Sequence, residues 1–454
     1  MRMLSSNDIK TVKRLAFRFN AMLLEEKEEK IALCVKNMPN YLFSEDNLLP
    51  LPNHVFFVWI GILKDKYYLD FWCMSKVKPI VYYDSKAYLS GYYLTELKNI
   101  SIKKDINIIE VQNDFFEYFD RNKSKLNGSF DMIFLQYLEE NEIYLRDFYV
   151  KKIDQYLSEI NINNTIEFID INSMQSLFPD NEFATFYSYE VLLRNNLAAA
   201  SDIIRLLLLK KQGGMYVDLD TLPDISYVFK KTNAIIDGNN TINKNIVDII
   251  KVEELFKAIF VGYRENLNTS KIFKFYLDYI KRFESIYDSI IDDISNWDRK
   301  LKDFELPKVP KDLICLSSSK NNISEYNNNI LSSHPDSKII RILLRQMKKR
   351  YNYAKKRGFI LRHLKEDNLK IKPYYERLKM YRFDGMENSN NVTLIMSGPL
   401  FIMEILLGIS YQLLSIDDDV SPLAISYALR VANLGLSFDK QTMFTPEHAE
   451  SSWM

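Results

Sequence analysis

Apolar runs in the amino-terminal part of the chain predict a helix followed by a strand–helix–strand unit. Between residues 6 and 36, apolar side chains recur at helical spacing, which predicts an amphipathic helix. After the proline-bounded linker 39–52, the apolar run HVFFVWIG (54–61) predicts a buried strand, and KPIVYYDS (78–85) predicts a second one. Because the segment between them is expected to be helical, this order predicts a parallel α/β sheet.

Three further segments are expected to lie around this sheet. Residues from about 92 to 181 are polar and rich in Tyr and Phe, which predicts a helical insertion. A helical subdomain is expected over about 338–390, and its first part, 338–365, is strongly basic. The following segment, NNVTLIMSGP (390–399), predicts a strand that ends in a turn.

The run PLFIMEILLGISYQLLSI (399–416) is the most membrane-like part of the chain. It is short, and Glu404, Gly408 and Gln412 interrupt it, so a buried helix is expected rather than a membrane span. Taken together, the pattern predicts an N-terminal helical extension over 1–52 and a large α/β domain over 53–454.

The stretch NLAAASDIIRLLLLKKQGGMYVDLD (196–220) combines a helix pattern with a strand pattern. Leu197 to Lys211 predicts one helix, and Gly213 and Gly214 are typical of its termination, because a helix end favours residues that tolerate positive φ. The residues MYVDLD then predict a strand. The expected unit is therefore helix, Gly-Gly turn and strand.

The charged residues of this stretch are spaced so that they converge. Asp202 and Arg205 lie three positions apart, on one helix face. Tyr216, Asp218 and Asp220 alternate by two, which places them on one face of the predicted strand. Such side chains would meet at the carboxyl end of a strand, where open α/β sheets bind ligands.

This set of side chains suits a nucleotide-sugar. Two carboxylates at one strand end favour a hard divalent cation, which a pyrophosphate leaving group requires. An acid and an arginine on a facing helix can bind sugar hydroxyls by charge-assisted hydrogen bonds. Taken singly, Asp202 and Arg205 could be an intrahelical ion pair, and Asp-x-Asp occurs by chance. Their combination with the Gly-Gly turn favours the site.

Composition narrows the function further. Lys plus Arg and Asp plus Glu number 60 each, so the net charge is zero and a nucleic-acid binder is not expected. Three widely spaced cysteines favour a reducing compartment, and the four histidines have no zinc-site spacing. The N-terminus has no apolar signal-peptide core, so a classical signal peptide is not expected.

The sequence resembles the glucosyltransferase domain of the large clostridial cytotoxins and related bacterial effector glycosyltransferases. The resemblance extends over about residues 55–454 and keeps the order of the motifs. The matching motifs are FVWIG (57–61), YDS (83–85), LAAASD (197–202), Arg205, GGMY (213–216), DLD (218–220), MSGP (396–399) and SSW (451–453).

The resemblance implies a GT-A glycosyltransferase fold, which is an α/β fold with a Rossmann-like central sheet. It also implies a retaining, metal-dependent transferase that uses a UDP-sugar, either UDP-glucose or UDP-N-acetylglucosamine. In the family, bulky residues beside a reactive Asn accompany glucose, and small ones accompany N-acetylglucosamine. Tyr326 and Asn328 match neither pair, but their bulk favours glucose.

The family's site residues carry over to matching positions. Trp59 would stack on the uracil, Asp202 and Arg205 would hold the sugar, and Asp218 would contact sugar and ribose hydroxyls. Asn327 would lie near the reacting carbon, although the run of three Asn leaves this register open by one residue. The catalytic set is Asp202, Arg205, Asp218, Asn327 and Trp453; the donor-binding set is Val58, Trp59, Ile60, Leu197, Ser201, Asp202, Arg205, Tyr216, Asp218, Leu219, Asp220, Ser451, Ser452 and Trp453.

The resemblance also implies a metal site and a closing segment at the end of the chain. Asp220 and Ser451 would ligate Mn²⁺ or Mg²⁺. Where the family has a glutamate ligand this chain has His448, with Glu447 beside it, so either of the two is expected to complete the site. Trp453 would close over the donor and support the leaving phosphate.

The implied acceptor is a host small GTPase of the Rho, Ras or Rab type, modified on a switch-region Thr. The segments 338–365 and 92–181 are candidate docking surfaces, although a basic run is also typical of a solvated helix face. The resemblance further implies a monomeric stand-alone effector or excised catalytic domain. It would be secreted from a bacterium without a classical signal peptide and act in the host cytosol, with weak membrane contact through its N-terminal helices. The alternatives are a transferase of capsule or lipid-linked glycan synthesis and a non-enzymatic binder on the same fold.

Overall fold

The computed structural model describes residues 48–62, 67–75, 77–122, 130–160, 166–174, 176–238, 242–260, 278–279, 283–302, 304–318, 326–356, 396–399, 401–402, 405–406 and 437–440. Within them the chain first forms β1 (Leu48–Pro50), β2 (Val55–Ile60), α1 (Tyr67–Cys73), β3 (Ile80–Asp84), α2 (Ser90–Lys104), α3 (Ile108–Asn122), α4 (Phe130–Glu140), α5 (Arg146–Ile160), β4 (Glu167–Asp170) and α6 (Asn181–Ser188). It continues as α7 (Leu197–Gln212), β5 (Gly214–Val217), α8 (Lys230–Asp237), α9 (Lys244–Ile259), α10 (Glu284–Ser295), β6 (Lys308–Pro310), β7 (Ile314–Ser318), β8 (Tyr326–Ser333), α11 (Lys338–Lys356) and β9 (Ser437–Lys440).

A mixed sheet forms the centre of the described chain. Its seven strands follow the order β4-β3-β2-β5-β8-β7-β9. β4, β3, β2 and β5 are parallel to one another, which confirms the expected α/β class and the strand–helix–strand unit. The sheet is not parallel throughout, because β8 runs antiparallel to both β5 and β7.

Strand β2 is buried on both faces, as its continuous apolar run predicted. Phe56, Val58 and Ile60 face the larger core, which the helices α2 to α4 and α7 complete. Val55 and Phe57 face a second layer that contains Trp72 of α1 and Met215 of β5. The strand is therefore fixed between two cores, and its carboxyl end is held in place.

The segment expected as a helical insertion, about 92–181, holds four helices but does not end as helix. Helices α2 to α5 occupy its first part, with buried aromatic residues such as Tyr93, Phe115 and Phe134 at their contacts. Its last part contains β4, which pairs in parallel with β3 and forms one edge of the sheet. The short sequence EFID in a polar surrounding gave little strand signal, so the sheet continues where helix was expected.

The predicted helix, Gly-Gly turn and strand are all present: the helix is α7, the strand is β5, and Gly213 lies between them. Asn196 caps α7, since its side chain accepts a hydrogen bond from the Ala199 amide at 3.2 Å. Gly213 and Gly214 have φ of +67° and +90°, which only glycine adopts at low cost. The strand is shorter than MYVDLD, because it ends at Val217 and the next residues form a turn.

The basic segment begins with α11, which is amphipathic. Its apolar face, including Ile340, Leu343 and Met347, is buried in the main core. Residues 357–390 of the expected helical subdomain and residues 1–47 of the N-terminal extension lie outside the described part. The helix expected at 399–416 is described only at a few buried positions, such as Phe401 and Ile402.

No helix among the residues described combines the length and apolar character needed to span a bilayer. Ser397 and Gly398 form a turn, as expected for the end of the segment 390–399, but Met396 is helical where a strand was expected; residues 390–395 are not described.

We predict that Gly213→Ala lowers the free energy of unfolding by about 2 kcal/mol or more. An added Cβ would lie 2.6 Å from the backbone nitrogen of Pro335 and 2.8 Å from the Ser333 carbonyl, at a φ that alanine disfavours. Urea denaturation measures the change. Gly91→Ala in α2 is the control, since nothing lies within 4 Å of its added Cβ, and it should leave stability unchanged or slightly raised. Equal midpoints for the two variants would contradict the prediction.

Candidate functional site

Asp202 is a buried carboxylate held by three different parts of the fold. Its side chain is 1% exposed. Oδ1 lies 3.1 Å from Arg205 Nη2 and accepts a hydrogen bond from Asn328 Nδ2 at 3.0 Å. Oδ2 accepts a hydrogen bond from Ser397 Oγ at 2.8 Å. A carboxylate oxygen can accept two hydrogen bonds, so Oδ2 keeps acceptor capacity for a ligand hydroxyl.

Arg205 joins the helix to the residues that follow β5. Nη1 lies 3.3 Å from Asp218 Oδ1 and donates to the Asn328 carbonyl at 2.9 Å. Nη2 reaches Ser201 Oγ at 3.4 Å, and the guanidinium lies 4.3 Å from the centre of the Tyr216 ring. Asp202, Asp218 and Tyr216, expected to converge from the spacing alone, are therefore joined by a single cation.

The charges of this pair are set by burial and by each other. Burial raises the pKa of Asp202 to about 6, and the neighbouring Arg205 charge opposes that rise. Burial alone would lower the pKa of Arg205, but the acidic groups around it raise that pKa, so the guanidinium stays protonated. Asp202 and Arg205 thus form an ion pair near neutral pH, and this pair is lost in acid when the Asp202 carboxylate is protonated.

Asp218 and Asp220 lie in a turn rather than on one strand face, which corrects the expectation from the alternating pattern. The Asp218 amide donates to the Asn329 carbonyl at 2.7 Å, and the Thr221 amide donates to the Asp218 carbonyl at 2.9 Å. The second bond closes a turn that begins at Asp218, a position that Asp favours, and the first bond ties the start of this turn to β8. The Tyr216 hydroxyl still donates to Asp218 Oδ1, so the two side chains meet as expected.

The turn has the donor chemistry of a divalent-cation site. Desolvation and the neighbouring charge of Asp218 together raise the pKa of Asp220 to about 7. Carboxylate oxygens are the ligands that Mg²⁺ and Mn²⁺ favour. No group of three or more His, Cys, Asp or Glu side chains that could hold a metal occurs within the described part of the chain. The other expected ligands, Ser451, His448 and Glu447, lie outside that part.

Strand β8 supplies the Asn side chains of the site. Asn328 is 5% exposed; its side chain donates to Asp202 and its carbonyl accepts from Arg205. Asn327 lies on β8 opposite Ser317, but its side chain is outside the description. The sequence left the register of the three Asn open, and Asn328 is the residue whose described side chain contacts Asp202.

Strand β2 brings the remaining N-terminal candidates to the same edge of the sheet. Trp59 is half-buried, and within the described residues its buried Nε1 has no hydrogen-bond partner. Val58 and Ile60 are buried on the opposite face, so only their backbone is available to a ligand at this edge. Leu197, the first residue of α7, lies against Gly61, where an added Cβ would be 2.7 Å from Leu197 Cδ1.

Two features of the site were not predicted from the sequence. Ser397 was read as part of a structural turn, and its hydrogen bond to Asp202 was missed, although a polar residue in the segment LIMSGPLFIM is a detectable signal. Asn329, which binds the Asp218 amide through its carbonyl, gave no signal because backbone contacts do not depend on residue type. Ser451, Ser452 and Trp453 lie outside the described residues, and Leu219 is buried next to β5.

Comparison with known proteins places this arrangement in a family. The family model of the TcdA/TcdB catalytic glycosyltransferase domain matches residues 89–372, more than half of the chain. Cytotoxin-L of Paraclostridium sordellii is 28% identical over 363 residues, covering 70% of this chain but 14% of that protein. Toxin B of Clostridioides difficile is 30% identical over 234 residues, covering 42% of this chain and 9% of that protein. The chain therefore spans a small part of the length of these curated relatives.

Solved structures show the same fold. The catalytic domain of alpha-toxin from Clostridium novyi has a TM-score of 0.64 at 18% identity, covering 97% of this chain and 87% of that one. The UDP-bound glycosyltransferase domain of the YGT toxin has a TM-score of 0.53 at 16% identity, covering 84% and 82%. These likenesses confirm the expected GT-A type of fold.

We predict that Asp202 makes folding stability depend on pH between about 4 and 6. The pKa of Asp202 in the folded protein is raised, so ionising it costs folding free energy, and stability falls as pH rises through this window. Asp202→Asn lacks this titration. Relative to the variant, wild type should therefore lose up to about 3 kcal/mol between pH 4 and pH 7, measured by urea denaturation. Parallel stability curves for the two proteins would show that Asp202 has an ordinary pKa.

Proposed function

The chain belongs to the family of TcdA/TcdB catalytic glycosyltransferase domains, and on this premise we propose that it moves a sugar from a UDP-sugar to a host protein. The donor we favour is UDP-glucose, with UDP-N-acetylglucosamine as the alternative. The acceptor we favour is a switch-region Thr of a Rho, Ras or Rab GTPase, where an added sugar would block the change that GTP drives. Transfer would retain the configuration of the sugar.

The observation that carries this proposal is the bridge that Arg205 makes between Asp202 on α7 and Asp218 in the turn after β5. Arg205 lies 3.1 Å from Asp202 and 3.3 Å from Asp218, so groups suited to sugar hydroxyls and groups suited to a cation are joined. A nucleotide-sugar needs both kinds of group within a few ångströms of each other. Trp59, at the same edge of the sheet, supplies an aromatic ring of the kind on which a base can stack.

Each described residue has a separate role in this proposal. Asp202 and Arg205 bind and orient the sugar, Asp218 binds sugar and ribose hydroxyls, and Asn328 supports Asp202 next to the sugar. Asp220 would hold the metal together with Ser451 and either His448 or Glu447. The bound metal would stabilise the negative charge that develops on the diphosphate leaving group.

The first test is hydrolysis of UDP-glucose and UDP-N-acetylglucosamine with and without Mn²⁺. We predict metal-dependent hydrolysis of one donor, and a loss on the order of 100-fold or more in the double variant Asp218→Asn/Asp220→Asn. The charge-matched control is Asp237→Asn/Asp292→Asn, which changes two exposed carboxylates that pair with surface lysines and should retain activity. Wild-type turnover that is equal with EDTA and with Mn²⁺, or full activity in the double variant, would overturn the assignment.

Docking of the acceptor is proposed for the exposed face of α11. Arg341, Arg345 and Lys349 recur at four-residue spacing on this face, opposite the buried residues. Lys348 beside them is fixed by an ion pair with Asp180 at 2.7 Å, which anchors the helix to the body. Arg345 and Lys349 are exposed, and we propose that their charges meet an acidic partner surface.

We predict that Arg345→Glu/Lys349→Glu separates acceptor docking from chemistry. Labelled-sugar transfer to purified Rho, Ras and Rab GTPases should fall by about tenfold at low salt, because reversed charge repels an acidic partner, while donor hydrolysis stays at the wild-type rate. Lys230→Glu/Lys300→Glu, exposed elsewhere, is the control and should leave both rates unchanged. Unaltered transfer in the α11 variant would show that the acceptor docks elsewhere.

A further inference from the structure

Strand β8 contains an irregularity near its amino end, at the edge of the sheet where β2 and β5 end, and this irregularity includes two Asn residues. Leu316 of β7 pairs with Leu331, but the next β7 residue, Ser317, pairs with Asn327. Residues 328–330 of β8 are therefore inserted between two consecutive positions of β7. Such bulges redirect side chains and are common next to functional sites.

Asn329 lies within this bulge and contacts the turn at Asp218–Asp220 through its backbone and its side chain. Its carbonyl accepts a hydrogen bond from the Asp218 amide at 2.7 Å. Its side-chain Nδ2 donates to Thr221 Oγ1 at 3.4 Å, and its Oδ1 accepts from the Ser317 hydroxyl. Asn329 is 9% exposed, and Ser317 and Thr221 are fully buried, so these contacts are shielded from water.

Thr221 fixes the other end of the turn by two backbone hydrogen bonds. Its amide donates to the Asp218 carbonyl at 2.9 Å, and its carbonyl accepts from Trp72 Nε1 at 2.8 Å. Trp72 is fully buried in the second core. Asn329 thus holds the residue before Leu219 through its backbone and the residue after Asp220 through its side chain.

We propose that Asn329 is a positioning residue that preorganises the Asp218–Asp220 turn for a divalent cation. Two neighbouring carboxylates repel each other, and a turn free to relax would move them apart before a cation arrives. Holding both ends of the turn keeps the carboxylates together and removes that reorganisation from the cost of binding. The inference rests on the proposed function, since it assumes that this turn binds the cation.

The test is the affinity for Mn²⁺ in the presence of UDP, read from the electron paramagnetic resonance signal of free Mn²⁺. Asn329→Ala keeps the backbone bond to Asp218 and removes the side-chain contacts, among them those to Thr221 and Ser317. We expect Mn²⁺ to bind tenfold or more weakly, as is usual when a supporting residue of a metal site is lost, with a much smaller change in kcat at saturating Mn²⁺.

The matched control is Ser332→Ala on the same strand. Ser332 is fully buried, and within the described residues its hydroxyl has no hydrogen-bond partner, so this change perturbs β8 without touching the turn. It should bind Mn²⁺ as wild type does. Thr221→Val is a second variant that removes the acceptor of the Asn329 side chain and keeps the backbone bond to Trp72; it should also weaken Mn²⁺ binding.

The outcomes separate this inference from the proposed function. If wild type with UDP binds no Mn²⁺, the proposed metal-dependent function fails first. If wild type binds Mn²⁺ and Asn329→Ala binds it equally well, only the role of Asn329 is refuted, even if the variant is less stable. Equal weakening in Ser332→Ala would also refute it. Should Asn329→Ala not fold, Thr221→Val decides: weaker binding supports the inference, and unchanged binding overturns it.

Discussion

The candidate site depends on the burial of one cation, the guanidinium of Arg205. It is 3% exposed, and a buried charge without partners would cost several kcal/mol. Its cost is offset by Asp202 on the same helix, by Asp218 after β5, by the ring of Tyr216 and by the carbonyl of Asn328. Helix α7, strand β5 and strand β8 all supply partners for the buried guanidinium, so the site depends on the packing of these three elements.

The mixed sheet explains why these three elements meet. The parallel strands β2 and β5 end at one edge, and a purely parallel neighbour would bring its carboxyl end there too. Because β8 is antiparallel to β5, with Val217 opposite Ile330, its amino end lies at that edge instead. Asn328 and Asn329 thus lie beyond the end of β5, where Asn328 contacts Asp202 and Arg205 and Asn329 contacts the turn. The change in strand direction supplies backbone carbonyls and amide side chains where a parallel strand would end in a loop.

The sequence was sufficient for the features that depend on local pattern. The apolar run of β2, the helix that ends at Gly213 and the spacing of Asp202 and Arg205 all follow from residue type and period. The sequence was insufficient for features that depend on contacts between residues far apart in the chain. The Asp218 amide that follows β5 binds the carbonyl of Asn329, far along the chain, and β4 joins the sheet although its sequence EFID lies in polar surroundings. Ser397 reaches Asp202 across nearly half the chain, which no local pattern encodes.

The balance of charge gives the strongest physical reason to expect a cation here. Asp202, Asp218 and Asp220 face a single arginine, so the site carries a net negative charge when all three are ionised. Burial is the largest cause of the raised pKa values of Asp202, to about 6, and Asp220, to about 7, and the charge of Asp218 adds to both rises. A diphosphate would add further negative charge and would be repelled by the same carboxylates. A divalent cation between them would offset this repulsion, which supports the proposal that an anionic donor and a metal bind here together.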